Sequence, residues 1–247
     1  MWKKAIRSLF ESFGIIASRS PYTLNTTFLP EKVRGHALSV KLQEPVDYDG
    51  SPLPWFTYPA IEYLSCLDLR DKKVFEWGSG NSSRWFAQHT KLVVSVERRA
   101  EWAQKIASYN LPNLAIVFEP DPMKTVEVIA QRPEAPFDVI VVDDMHRDLC
   151  CEIATQYLAE TGLIIMDNLD QTELGVVQGA HFLRKKGFIQ VDFFGFAPVV
   201  SFTSVTSFFF SRHFDFERLN EHAPVIPIGS SNCPRYLAMS KDPKNFR

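Results

Sequence analysis

From Val74 to Ser211 the chain alternates short apolar runs with longer stretches of mixed character. The runs Val74–Trp77, Leu92–Val96, Leu114–Phe118, Asp138–Val142 and Leu163–Met166 are too short and too uniformly apolar for amphipathic helices. They fit strands buried on both faces. The stretches between them, Ser83–His89, Ala100–Tyr109, Met123–Gln131 and Leu149–Ala159, carry helix-forming residues in helical length and spacing. Strands that alternate with helices in this way predict a parallel sheet, wound by right-handed crossovers and covered on both faces. Ligands of such sheets bind beyond the carboxyl ends of the strands. After a helix over Thr172–Lys186, stopped by Gly187, two more strand-like runs follow at Phe188–Phe194 and Ser204–Ser211. No helix fits between them, so they must pair antiparallel.

Upstream of this region the pattern changes. Residues 18–54 are rich in Pro, Ser, Thr, Asp and Gly without sustained periodicity and read as an irregular connection with room for one short strand or helix. Residues 2–17 place Trp2, Ala5, Ile6, Leu9, Phe13, Ile16 and Ala17 on one helical face, with Lys3, Lys4, Arg7 and Glu11 off it. Such a helix packs on the domain, on a second subunit, or peripherally on a membrane surface, and Glu11 breaks any secretory apolar core. The uncharged stretch Phe193–Ser211 has about the length of a membrane span, but Pro198 and its many Ser and Thr residues favour a buried β-hairpin. The organisation expected is an N-terminal helix and irregular extension over 1–54, then one domain with a C-terminal tail over 55–247.

Composition narrows the partners. The 247 residues hold 27 Lys and Arg against 29 Asp and Glu, a net charge of −2, so no basic excess points to nucleic acid. Cys66, Cys150, Cys151 and Cys233 form no CxxC pair, and the adjacent pair suits neither a shared metal nor an ordinary disulfide. A reducing, cytoplasmic compartment is expected.

The candidate chemistry starts at the first strand, where Val74-Phe-Glu-Trp77 runs into Gly78-Ser-Gly80 and then Asn81-Ser-Ser83. Glycines 78 and 80 permit positive φ and close approach of a ligand, and the three polar residues can cap a helix. Glu76 distinguishes this turn. Its carboxylate would repel a dinucleotide pyrophosphate but attract a cofactor bearing an ammonium and a sulfonium, as S-adenosylmethionine does. Glu97 ends the second strand, where a carboxylate can accept both hydroxyls of a ribose. Asp143 and Asp167 end two further runs, so four acids would meet at one sheet edge, an arrangement that makes sense around a cation.

The pattern Glu76-x-Gly78-x-Gly80, Glu97, Asp143 and the closing hairpin resembles the class I S-adenosylmethionine-dependent methyltransferases over roughly residues 55–212. The resemblance implies an α/β fold: a doubly wound, Rossmann-like, mostly parallel seven-stranded sheet with a C-terminal antiparallel hairpin. It places Glu76, Gly78, Ser79, Gly80, Asn81 and Ser82 at the methionine part of the cofactor, Glu97 at the ribose, and the Glu119–Met123 turn with Asp121 beside adenine. Asp143 would face the same cleft. Ser82 stands where many members carry a third glycine.

Within the superfamily, Asp143 with Asp167 and Asn168 is similar to the metal site of catechol-type O-methyltransferases, whose oxygen ligands suit Mg²⁺. An acid after the fourth strand is also common without metal, and an Asp-Asn pair also forms an ordinary turn or helix cap. His146, three residues past Asp143, is a candidate general base or a surface histidine. Trp55, Phe56 and Tyr58 would close over the cofactor or acceptor, or pack in the core.

The function expected is methyl transfer from S-adenosylmethionine to a hydroxyl or amine of a small molecule or glycan. Two alternatives stand beside it. A nicotinamide-dependent oxidoreductase is supported by the loop and Glu97 but opposed by Glu76, Ser83 and the hairpin, and a non-catalytic binding module would use residues 2–17. Residues 1–54 and the loop between the last two strands would shape the acceptor pocket.

Overall fold

A computed structural model describes residues 35–219. The amphipathic stretch 2–17, Cys233 and the rest of 1–34 and 220–247 lie outside the described residues.

Seven strands form one sheet: β1 (Lys73–Trp77), β2 (Leu92–Glu97), β3 (Leu114–Phe118), β4 (Phe137–Val142), β5 (Leu158–Asp167), β6 (Ile189–Phe196) and β7 (Thr203–Phe210). Their spatial order is β3-β2-β1-β4-β5-β7-β6. The pairs among β1 to β5 are parallel, whereas β7 lies antiparallel to both β5 and β6. The order reverses between β1 and β4, the position at which open α/β sheets form a ligand crevice.

Strand alternation sorts the core into two layers. Val74, Val139, Val141, Leu163, Ile165 and Phe208 face helices α2 (Tyr58–Ser65) and α3 (Asn81–His89), which contribute Ile61, Leu64, Trp85 and Phe86. On the opposite face Phe75, Trp77, Ile140, Val142, Ile164 and Phe209 pack with residues of α5 (Pro122–Glu127), α6 (Arg147–Tyr157) and α7 (Leu174–Lys185). Because both faces are covered, the central strands read as continuous apolar runs. The remaining helices are α1 (His36–Leu42) and α4 (Ala100–Ala107), the latter burying Ala103 and Ile106. Pro59 stands in the first turn of α2, where its missing N–H leaves no helical bond unmade.

Three differences from the sequence reading have physical causes. Helix α6 stops at Tyr157 and β5 begins at once at Leu158 rather than at Leu163. The early part of β5 pairs through Phe137 and Leu158, after which the register jumps to Val139 and Leu163. A bulge thus absorbs residues that carry no strand pattern. The C-terminal hairpin is present, but only β7 is buried, from Ser204 to Phe210. β6 is an edge strand with alternating exposure, leaving Phe194 70% exposed. Finally, residues 35–53, whose one short helix the irregular connection allowed, pack inward: Ser39 Oγ donates to the Val46 carbonyl (2.7 Å), and Val46 and Leu53 are buried. Among the described residues, no helix is long and apolar enough to cross a membrane. Cys66, Cys150 and Cys151 are free thiols.

Phe209 is fully buried in the layer beneath α6 and α7. Truncation to alanine should lower unfolding free energy by about 3–5 kcal/mol, read as a lower urea midpoint at unchanged denaturant slope.

Candidate functional site

The carboxyl ends of β1, β2, β4 and β5 meet at one edge, joined by backbone hydrogen bonds. Gly78 N–H donates to the Val96 carbonyl (3.0 Å), Asp143 N–H to the Trp77 carbonyl (3.2 Å) and Glu119 N–H to the Glu97 carbonyl (3.0 Å). Gly78 has φ of +94°, and a side chain there would come within 2.8 Å of the Asp143 carbonyl. Only glycine fits both conditions. Gly80 differs from the sequence expectation, since its φ of −178° is extended backbone that any residue adopts. Its missing side chain instead leaves open the space between Ser82 and the Trp102 ring, both on the wall of the neighbouring cavity.

That cavity, of about 370 Å³, is framed by the Gly78–Ser82 loop on one side and Glu97, Arg98 and Arg99 on another. Glu97 is buried and accepts from the Ser79 N–H (3.2 Å) and hydroxyl (3.1 Å), while its other oxygen accepts from the Arg99 N–H (2.9 Å). Trp102 Nε1 donates to the Ser79 carbonyl (2.5 Å), fixing the ring beside the loop. Gln43, Glu44 and Pro45 close a third side. They are held by Asn81 Nδ2 donating to the Pro45 carbonyl (2.7 Å) and by the Lys105–Glu44 ion pair (2.5 Å).

A second cavity, of about 220 Å³, shares Trp55 and Asp143 with the first and is completed by Asp167, Asn168, Val200 and Phe202 among others. Its polar groups lie toward β4 and β5. Its apolar wall comes from the loop between β6 and β7.

Glu76 lies beneath the glycine loop and does not line either cavity. Its Oε2 accepts from the Ser95 hydroxyl (2.8 Å) and from the Ser83 hydroxyl, and Ser83 Oγ in turn accepts from the Gly80 N–H (3.0 Å). Ser83 therefore ties the strand acid to the start of α3. Burial pushes the Glu76 carboxyl up to about 7, despite the opposing pull of the Ser82, Ser83 and Ser95 hydroxyls, and the Asp143 charge adds to the rise. Asp143 and Asp167 are raised by burial too. The Arg147 guanidinium opposes the rise at Asp143, whereas Asp143 itself pushes Asp167 further up.

Of the other sequence candidates, Gly78, Ser79, Gly80, Asn81, Ser82, Glu97 and Asp143 all line the first cavity. Two candidates stand elsewhere. The Asp121 carboxylate accepts from the N–H groups of Met123 (2.9 Å) and Lys124 (3.3 Å), capping α5 outside the cavity wall. His146 adopts φ of +55° just before α6 and lines a separate depression with Met145, Asp148 and Glu173. Trp55 faces both cavities, Phe56 is buried at the first, and the Tyr58 hydroxyl lies 3.1 Å from His36 Nδ1.

Sequence reasoning missed Arg147 and the 43–45 segment. Arg147 Nη2 donates to Asp143 Oδ1 (2.9 Å), and its Nη1 donates to the Asp167 carbonyl. The spacing of four residues from Asp143 was the available signal. Asp144, beside it, is held by Arg98 Nε at 2.8 and 3.0 Å. Asp167 Oδ1 accepts from the Thr206 hydroxyl (2.5 Å), whose oxygen accepts from the Thr57 N–H (2.9 Å). Asn168, with φ of +56°, forms a left-handed turn after β5, a conformation asparagine tolerates. Asp143, Asp167 and Asn168 do border one cavity, but an oxygen of each carboxylate is already engaged and a guanidinium bridges the two strand ends. Among the described residues, no group of three or more His, Cys, Asp or Glu could hold a metal ion. These contacts count against the Mg²⁺ site that the resemblance implies at Asp143, Asp167 and Asn168.

Comparison with solved structures finds this architecture elsewhere. An O-methyltransferase from Bacillus cereus in complex with S-adenosylhomocysteine superposes with a TM-score of 0.51 at 14% identity, over 84% of this chain and 97% of the other. A presumed O-methyltransferase from Klebsiella pneumoniae gives 0.51 at 16% identity, over 84% and 96%. This chain has the class I methyltransferase fold. No protein-family model matches it, and neither does any curated protein. The methyltransferase fold accounts for the reversed strand order and the antiparallel β7; the side chains at the edge are this chain's own.

The folded pKa of Glu76 exceeds its ordinary value of 4.5, so the folded chain holds an extra proton between about pH 4.5 and 7. That contribution to stability is complete below pH 4.5 and is lost as pH rises through 7, about 3 kcal/mol in all. Glu76→Gln should therefore reduce the fall in stability across this window, measured as urea midpoints from about pH 5 to 8.

Proposed function

We propose that the protein is an S-adenosylmethionine-dependent methyltransferase acting on a hydroxyl or amine of a small molecule or glycan. The observation that carries this reading is the first cavity, where a glycine loop, the buried Glu97 and the tip of β4 converge at the point of strand-order reversal. The space left by Gly80 and the acids at this edge fit a ligand with a ribose at one end and positive charge at the other.

Glu97 accepts the ribose hydroxyls in place of the Ser79 hydroxyl and the long Arg99 Nε contact (3.4 Å), which together with the Ser79 and Arg99 N–H groups otherwise occupy its lone-pair sites, about four in all. The Gly78–Ser82 loop holds the amino-acid end, and Glu76 beneath it keeps the local potential negative as its proton leaves on binding of a cation. Bound there, S-adenosylmethionine would supply an electrophilic methyl group on a sulfonium. Trp55 and Asp143 stand at the boundary of the two cavities, so an acceptor in the second cavity is directed toward the first. Alignment and exclusion of water then supply much of the acceleration. For a hydroxyl acceptor, Asp143 is placed to take the proton through the carboxylate oxygen that Arg147 leaves open. His146 faces another depression and is not assigned this task. An amine acceptor needs no strong base.

Calorimetry with S-adenosylhomocysteine should show one site per chain, with affinity reduced at least about tenfold by Glu97→Ala, the loss of roughly one charge-assisted hydrogen bond. Absence of binding at millimolar ligand would sink the reading, and binding of a nicotinamide dinucleotide in its place would favour an oxidoreductase.

A further inference from the structure

The ends of β4 and β5 present two carboxylates and an amide to one cavity, yet the charge between them is supplied by the chain itself. Arg147 begins α6, four residues beyond Asp143, and its side chain is 13% exposed. One guanidinium nitrogen donates to Asp143 Oδ1 (2.9 Å), a second donates to the Asp167 carbonyl, and Nε reaches the Asp144 carbonyl (3.2 Å). Three acceptors on two strand ends are thus held by one planar cation, which cannot deprotonate at any physiological pH. Thr206 engages Asp167 from the other side. A divalent ion placed on Asp143 and Asp167 would have to use the one oxygen of each carboxylate left open by Arg147 and Thr206, and would stand beside the guanidinium and against its charge.

We infer that Arg147 serves this site as its fixed cation in place of a divalent metal. Arg147 is a positioning residue: it lines the depression on the far side of the strand ends and acts through Asp143 and the Asp167–Asn168 turn. By holding Asp143 at the wall common to both cavities, it orients the acceptor without a metal. Methyl transfer without metal rests on the function proposed above, whereas exclusion of the ion does not.

The test is a Mn²⁺ titration of the full chain followed by electron paramagnetic resonance, with S-adenosylhomocysteine calorimetry on the same samples. The wild-type chain should take up no Mn²⁺ at this site at millimolar concentration. Arg147→Met and Arg147→Gln should each gain one Mn²⁺ site, at least about tenfold tighter than any in the wild type, and Asp143→Asn should remove it from either variant. Arg147→Lys, which keeps the charge, should continue to exclude the ion. Glutamine retains donors for the Asp167 carbonyl, so a folded neutral variant is available even where methionine disrupts the turn. Wild-type binding of Mn²⁺ that Asp143→Asn abolishes would overturn the inference, as would folded neutral variants that gain no site. Loss of S-adenosylhomocysteine binding in the wild type would instead count against the cofactor reading and leave the ion result interpretable.

Discussion

Burying a carboxylate costs free energy unless hydrogen bonds or an opposite charge replace the lost water, and this chain gathers several carboxylates at one sheet edge. Each is met differently. Glu76 is met by serine hydroxyls, Glu97 by Ser79 and the Arg99 N–H, Asp143 by Arg147, Asp144 by Arg98, and Asp167 by Thr206. The glycine loop, the start of α3, the start of α6 and the β7 strand are all tied to the edge through these bonds. The site is therefore inseparable from the local fold. Burial leaves Glu76, Asp143 and Asp167 with raised proton affinity that their hydroxyl and guanidinium partners only partly offset, and Arg147 and Arg98 hold Asp143 and Asp144 in place. A cationic ligand in the first cavity would draw the ionised form from groups that otherwise resist it.

The fold was legible because apolar runs buried on both faces leave a strong pattern. Val74–Trp77, Leu92–Val96 and Leu114–Phe118 each coincide with a strand to within a residue, and the uncharged C-terminal stretch falls in the β6–β7 hairpin. The bulge in β5 was not legible, since Ala159-Glu-Thr-Gly162 has no alternation and its pairing depends on β4. The edge position of β6 was hidden for a related reason: Phe194 and Phe196 look like core residues but stand exposed.

The candidate site was readable where chemistry coincides with a strand end. Glu97, Asp143 and the loop from Gly78 to Ser82 needed only the strand-to-helix order to be placed together. Asp121 and His146 lie equally close to strand ends, but one is spent on capping α5 and the other turns away through a left-handed backbone. Neither outcome follows from residue type. The cover of the first cavity by Gln43–Pro45 could not be read, because it depends on long-range contacts with Asn81 and Lys105. That cover and the Ala197–Phe202 loop are the parts of the site farthest from the sheet, and they set the space available to an acceptor.

The central claim, that the cavity between the glycine loop and Glu97 is where the cofactor binds, is tested most directly by amide hydrogen exchange with and without S-adenosylhomocysteine. Binding there should slow exchange in 76–83, 97–102 and 43–46 together, since those three segments enclose the cavity. Saturating ligand that leaves all three unchanged, or protects only segments remote from the carboxyl edge of β1 and β2, would contradict it.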